Sequence, residues 1–346
     1  MPRSEDDSMV PTIALRYVVA GTLKQETLLP FSRPPVLNQP GGSAMYASAG
    51  VSVWDHGIGL VAQVGRNYPV DWLDKIWGWG WDVSGVRTLS EERDHRSFFA
   101  YQDSDTICTG SPIDLFSSAN LPFPKELIGY TNPAEALDSR TTPSSATLKA
   151  SDIPGDYLEA SAAHLCPLDY HSHVLIPPIF RQGHITTITL EPASSYMNPA
   201  FLDLFPSLLG GITAFLPTEQ NALNLFRNRT TDLQEIVRNL SSFGCDIVVI
   251  QRGNKGCLVY DRSSNSSWLI PTYPSQTVDP TGATDAFCGG FLAGYRLTYD
   301  PLQAALHASI ARSFCVESSG PRYLLDIMPG LAQARLESLR GLVRKT

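Results

Sequence analysis

The chain has 346 residues, 43% of them hydrophobic and 17% charged, with a formal net charge of −8. Such a composition can fill a large core, and an acidic balance without a long basic run argues against nucleic acid or an anionic membrane surface as main partner. No apolar run reaches the about 18 residues of a spanning helix, the N-terminus lacks a signal-type apolar stretch, and the six cysteines form no Cys-x-x-Cys pair, so a cytoplasmic protein is expected.

Residues 1–11 read as a disordered leader, and residues 13–20, closed by Gly21, as a first strand. Gly41 and Gly42 precede a small-residue helical stretch that ends near Val51, and paired glycines let a ligand or another element come close to the backbone. A strand at 58–65 follows. The tract holding Trp72, Trp77, Trp79 and Trp81 reads as a helix and a turn, its rings serving the core, an interface or a stacking platform. Residues 97–101 form a short β-like run. Residues 103–150, rich in Ser, Pro, Thr and Ala with little periodicity, are expected to be an irregular and partly mobile insertion.

In the second half, residues 163–167 and 185–190 read as buried strands of a parallel sheet separated by a helix. His171 and His173 have the alternate spacing of ligands on a strand. They lack Cys or acidic companions in a metal pattern, which makes metal the minor reading. A strand at 212–217 runs into Thr218, Glu219, Gln220 and Asn221. Asp232 followed by Glu235 opens a helix whose apolar face is Leu233, Ile236, Val237 and Leu240. A strand at 246–250 leads to Gly253-Asn254-Lys255-Gly256, a tight turn, and a return strand at 257–260. Asp300-Pro301 starts another helix, and 331–346 a basic, amphipathic terminal one. The alternation of strands and helices implies a doubly wound α/β sheet, in which ligands lie outside the carboxyl ends of the strands.

The most informative stretch is Val278-Asp279-Pro280-Thr281-Gly282-Ala283-Thr284-Asp285, a turn that becomes a helix. The first N–H groups of such a helix lack intrahelical partners and form an anion site. Asp285 in the first turn has two readings. It can be a carboxylate that favours the helix dipole, or a base beside an anion hole, the arrangement that phosphoryl transfer requires.

This stretch resembles the C-terminal signature of the ribokinase-like (PfkB-type) carbohydrate and nucleoside kinases, whose Asp-Thr-Thr-Gly-Ala-Gly-Asp-type loop supplies an anion hole and ends in the catalytic base. The likeness extends to Gly41-Gly42 and to the Gly253–Gly256 turn and spans about residues 12–325 apart from the insertion. It implies one kinase domain at 12–330, with a Rossmann-like, mainly parallel sheet and a small β-sheet lid from strands near 13–40 and 93–102. Asp285 takes the role of base, and Gly282, Ala283 and Thr284 that of the anion hole. ATP falls to Arg252, Gly253, Lys255, Gly256 and Ser309, and the acceptor to Glu26, Gly41, Gly42 and Tyr46. Mg2+ is left with Glu219, acting through water, and a monovalent cation such as K+ is placed near Asp279.

The departures are specific. Tyr46 stands for a pocket Asn, Asn67 for an Asp, Thr284 for a Gly, and Thr218 and Asn221 for the Asn and Glu of a magnesium motif. The resemblance therefore implies an ATP-dependent kinase acting on an alcohol of a sugar or nucleoside, with a homodimer through the lid. The departures keep open a catalytically weak or inactive nucleotide- or metabolite-binding regulator. An NAD-type enzyme is disfavoured, because no Gly-x-Gly-x-x-Gly follows the first strand.

Overall fold

The computed structural model describes residues 14–346 except 105, 109, 134 and 135. The leader expected at 1–11 and the start of the first strand lie outside the described residues. In chain order the first half comprises β1 (Tyr17–Ala20), β2 (Lys24–Leu29), β3 (Val36–Gly41), α1 (Ser43–Ser52), β4 (Ile58–Val64), α2 (Val70–Gly78), β5 (Trp81–Thr88), β6 (Arg96–Ala100) and α3 (Pro112–Ser118). Next come β7 (Ala162–Leu165), α4 (Tyr170–Phe180), β8 (Thr187–Leu190), α5 (Phe205–Leu209), β9 (Ala214–Phe215), α6 (Glu219–Leu225), α7 (Leu233–Ser242) and β10 (Ile247–Gln251). The last part holds β11 (Cys257–Asp261), β12 (Ser266–Ile270), α8 (Ala283–Thr298), α9 (Pro301–Cys315), α10 (Leu331–Arg340) and β13 (Arg344–Lys345).

The main sheet runs β13-β12-β11-β10-β9-β8-β7-β1-β4-β5. From β5 to β10 every neighbouring pair is parallel, and β11, β12 and β13 extend the sheet antiparallel. Strand β1 shows how sequence alternation builds two cores. Tyr17 and Val19 join the layer of α1, α8 and α9, while Val18 and Ala20 face the layer of α4 to α7. Helices α1 and α8 touch backbone to backbone, and a Cβ on Gly289 would run into the Ala47 carbonyl. That contact brings Gly41-Gly42, ahead of α1, beside the turn ahead of α8.

The second sheet has the order β3-β2-β6. The lid strands are therefore 24–29, 36–41 and 96–100, and β1 belongs to the main sheet, a narrower lid than the one expected from residue 13. The stretch 103–150 is not featureless. Its α3 and a short turn at Lys125–Leu127 bury Phe116 and Leu127 against Phe98 and Ala100, a small core beneath the lid. Trp81 opens β5 instead of a turn. His171 and His173 sit on α4, not on a strand, because Asp169 caps that helix by accepting from the Ser172 N–H. His173 is spent on the Tyr196 hydroxyl (2.6 Å) and the Cys166 carbonyl (2.9 Å). The terminal helix stops at Arg340, and β13 then pairs with β12 along the sheet edge. Among the described residues no helix is long and apolar enough to cross a membrane.

Candidate active site

The N-terminus of α8 opens onto a cleft of about 730 Å³ on one side and a smaller compartment of about 230 Å³ on the other. Thr281, Gly282, Thr284 and Asp285 line both. Gly282 has φ +72°, the left-handed region that favours glycine. Asp279 sets the turn by accepting the Thr281 N–H (2.9 Å) through Oδ1, while its Oδ2 is buried without a partner. Among the described residues no backbone carbonyl takes the N–H of Gly282, Thr284 or Asp285, as expected at a helix start. Ala283 is a correction, since its N–H donates to the Pro280 carbonyl (3.2 Å) and the expected anion hole loses that donor.

Asp285 keeps partial contact with solvent, but its Oδ1 is buried and unpartnered. Burial, then the charges of Glu191 and Glu26, hold its carboxyl well above the usual carboxylate range. Among the described residues no lysine or arginine pairs with it.

In the smaller compartment Glu26 is 2% exposed and accepts from the Gly42 N–H and the Tyr46 hydroxyl, both at 2.8 Å. A side chain on Gly41 would strike the Glu26 carboxyl, which explains why that position is glycine. Burial raises Glu26 from an ordinary 4.5 to about 7, against the lowering effect of those two hydrogen bonds. The Tyr46 ring lies against Gly282, in the space a Cβ there would take. Three of the expected acceptor residues, Glu26, Gly42 and Tyr46, thus line one compartment, together with Lys24, whose ammonium burial makes easier to deprotonate.

In the larger cleft Arg252, Gly253, Lys255 and Gly256 line one wall, following β10 through the turn Gly253–Lys255. Arg252 Nε donates to Glu219 Oε2 (3.0 Å), and Lys255 Nζ lies 3.9 Å from Glu219 Oε1. Glu219 therefore faces the cleft with its charge already met by cations, not as an open metal ligand. Thr218 and Asn221 serve the start of α6, where the Thr218 side chain accepts the Asn221 N–H (3.2 Å). Ser309 is a further correction. It is 5% exposed, and its hydroxyl donates to the Ala305 carbonyl (2.9 Å) instead of lining the cleft, where Arg312 one turn later does. Asn67 braces the lid by exchanging hydrogen bonds with the backbone of Arg93 (2.9 and 3.0 Å).

Sequence reasoning missed Glu191, Gln251 and Tyr101. Glu191 directly follows β8 and is 3% exposed, with its carboxyl pushed up to about 7 by burial. It takes a hydrogen bond from the Cys288 thiol (3.3 Å), and the Thr284 and Gln251 side chains beside it lower its carboxyl against that burial. Tyr101, just after lid strand β6, accepts from the Thr281 hydroxyl (3.0 Å). The β-like run ending at Tyr101 was the available signal for that residue, and Glu191 and Gln251 carry no local one.

The pfkB family carbohydrate kinase profile matches residues 178–328, the part of the chain holding β10, β11 and α8. A cytidine kinase of Thermococcus kodakarensis is 27% identical over 81% of this chain and 88% of its own length. A Burkholderia thailandensis nucleoside kinase in complex with inosine superimposes with a TM-score of 0.67 at 16% identity, over 94% of this chain and 99% of that one. An E. coli protein described as a ribokinase II, in complex with ATP and Mg2+, gives 0.65 at 19% identity over the same shares. The fold, the signature turn before α8 and these likenesses agree, and together they support a ribokinase-like kinase of the PfkB type.

Proposed function

We propose that this chain transfers the terminal phosphoryl group of ATP to an alcohol of a nucleoside or sugar, with Asp285 as general base. The observation that carries the reading is the position of Asp285, with a buried, unpartnered oxygen at a helix start shared by two compartments. The acceptor occupies the smaller compartment against Glu26, Gly42 and Tyr46, and the triphosphate the larger one beside Arg252 and Lys255. As the acceptor oxygen bonds to phosphorus and the bond to the ADP oxygen breaks, the hydroxyl proton passes to Asp285. The N–H groups of Gly282, Thr284 and Asp285 meet the charge on the moving group. A carboxyl held above its usual range is a stronger base than an ordinary carboxylate, provided the pH is high enough to ionise it.

The donor set fits Mg2+ held through water near Glu219, since that carboxylate faces the cleft while Arg252 and Lys255 bar direct ligation. The ion would neutralise charge on the phosphate oxygens. The buried Oδ2 of Asp279 suits a monovalent cation. Nucleosides head the acceptor panel, because the likeness to a cytidine kinase runs over most of the chain.

The test is ADP release from Mg-ATP against nucleosides, ribose-type sugars and polyols. Turnover on any member supports the reading. ATP binding without turnover on all of them favours the alternative, a nucleotide-binding regulator, whose motive is a Glu219 committed to Arg252 and an Ala283 N–H committed to Pro280.

A further inference from the structure

Behind the catalytic turn, β7, β8 and α8 bring His164, Glu191 and Cys288 together, with one ligand atom of each within 4.8 Å of the others and all three residues buried. Nothing in the phosphoryl-transfer reading uses His164 or Cys288. Cys288 Sγ and Glu191 Oε2 are 3.3 Å apart. Tetrahedral zinc, with Zn–S about 2.3 Å and Zn–O about 2.1 Å, sets its sulfur and oxygen ligands about 3.6 Å apart, so this pair already has ligand spacing.

His164 supplies the second, independent observation. Its Nδ1 lies 2.9 Å from Thr189 Oγ1, whose own hydrogen goes to the Ala163 carbonyl (3.4 Å). Nδ1 therefore carries the ring proton and donates to Thr189. That leaves Nε2 as a bare lone pair, and it is buried without a hydrogen-bond partner. An imidazole held at Nδ1 by an oxygen, with Nε2 open, is the oriented form that metal ligation requires. Cys288 is also braced by a donor, as Gln251 Nε2 reaches its Sγ (3.4 Å). A donor on sulfur suits a thiolate.

We propose that His164 Nε2, Glu191 and Cys288 form a buried site for a borderline-soft divalent cation of the zinc class. Binding displaces the Cys288 thiol proton to solvent and forms a thiolate–metal bond, with no change of oxidation state. Because Cys288 lies three residues after Asp285, an occupied site fastens the first turns of α8 to β7 and β8.

The test is to strip the full chain with chelator and titrate it with Co2+. The expected result is one equivalent bound, with a thiolate-to-cobalt charge-transfer band, tetrahedral d–d intensity and displacement by Zn2+. Cys288→Ser should abolish the charge-transfer band while circular dichroism shows a folded chain, and Cys166→Ser should keep it. His164→Gln, which leaves the thiol in place, should weaken Co2+ binding at least about 10-fold, since even loss of an outer partner costs that much. It serves alone if Cys288→Ser does not fold. No uptake, uptake without the thiolate band, a band that survives Cys288→Ser, or unchanged affinity in His164→Gln would each overturn the proposal.

Discussion

Glu26→Gln isolates a buried acid that lines the smaller compartment beside α8. The carboxyl is raised from 4.5 to about 7 and is 2% exposed. A raised acid holds its proton more tightly in the folded than in the unfolded chain. Its stabilising contribution is therefore fully present below about pH 4.5 and is lost as pH rises through about 7. At about 1.4 kcal/mol per unit, the window of some 2.5 units amounts to about 3 kcal/mol. Glutamine mimics the protonated form, since its oxygen can accept from the Gly42 N–H while its amide donates to the Tyr46 oxygen. Glu191 titrates in both proteins and cancels to first order, whereas Asp285, whose carboxyl the Glu26 charge also raises, adds to the difference with the same sign. Denaturant melts from pH 4.5 to 7.5 should show wild type losing about 3 kcal/mol relative to the variant across that window. Parallel stability curves for the two proteins would refute the burial argument for Glu26.

Four further outcomes are expected. Gly282→Ala forces a side chain into the left-handed region and onto the Tyr46 ring, so unfolding free energy should fall by at least about 1 kcal/mol, with activity falling alongside. Tyr46→Phe removes one of the two hydrogen-bond donors to Glu26; it should cost about 1–3 kcal/mol in melts at pH 8 and much less at pH 5, where the acid is neutral. Arg252→Ala should raise the KM for Mg-ATP by about tenfold, the worth of one charge-assisted contact, with kcat little changed in initial-rate measurements. The base must be ionised, so kcat/KM should fall with decreasing pH at a midpoint well above the usual carboxylate range; a flat profile down to pH 4 would contradict the raised Asp285.

The parts of the fold legible in the sequence were those whose signal is local. The apolar run at β1, the glycine pair before α1, the Gly253–Gly256 turn and the Thr281-to-Asp285 turn each carry their own chemistry within a few residues. Glu191 was illegible because a lone Glu at a strand end has no local signature, and only the parallel register of β7, β8 and β9 sets it under α8. The same holds for His164, which reads as a core residue until β8 supplies Thr189 beside it. Spacing misled at His171 and His173, where the Asp169 cap selects helix over strand. Ser309 was assigned by analogy of position, yet the rotation of α9 turns it toward its own backbone and gives the cleft to Arg312. Thr218, a departure from the family pattern, is explained by the first turn of α6 that it caps, while Thr284 sits beside Glu191 and lowers its carboxyl.

The most direct measurement is turnover by Asp285→Asn beside wild type, with ATP binding followed by calorimetry on the same preparations and the best acceptor from the panel. Loss of a general base should lower kcat by about 10²–10⁴ while the Kd for ATP stays within a few-fold. Undiminished kcat in a variant that still binds ATP would contradict the assignment of Asp285 as the group that takes the acceptor proton.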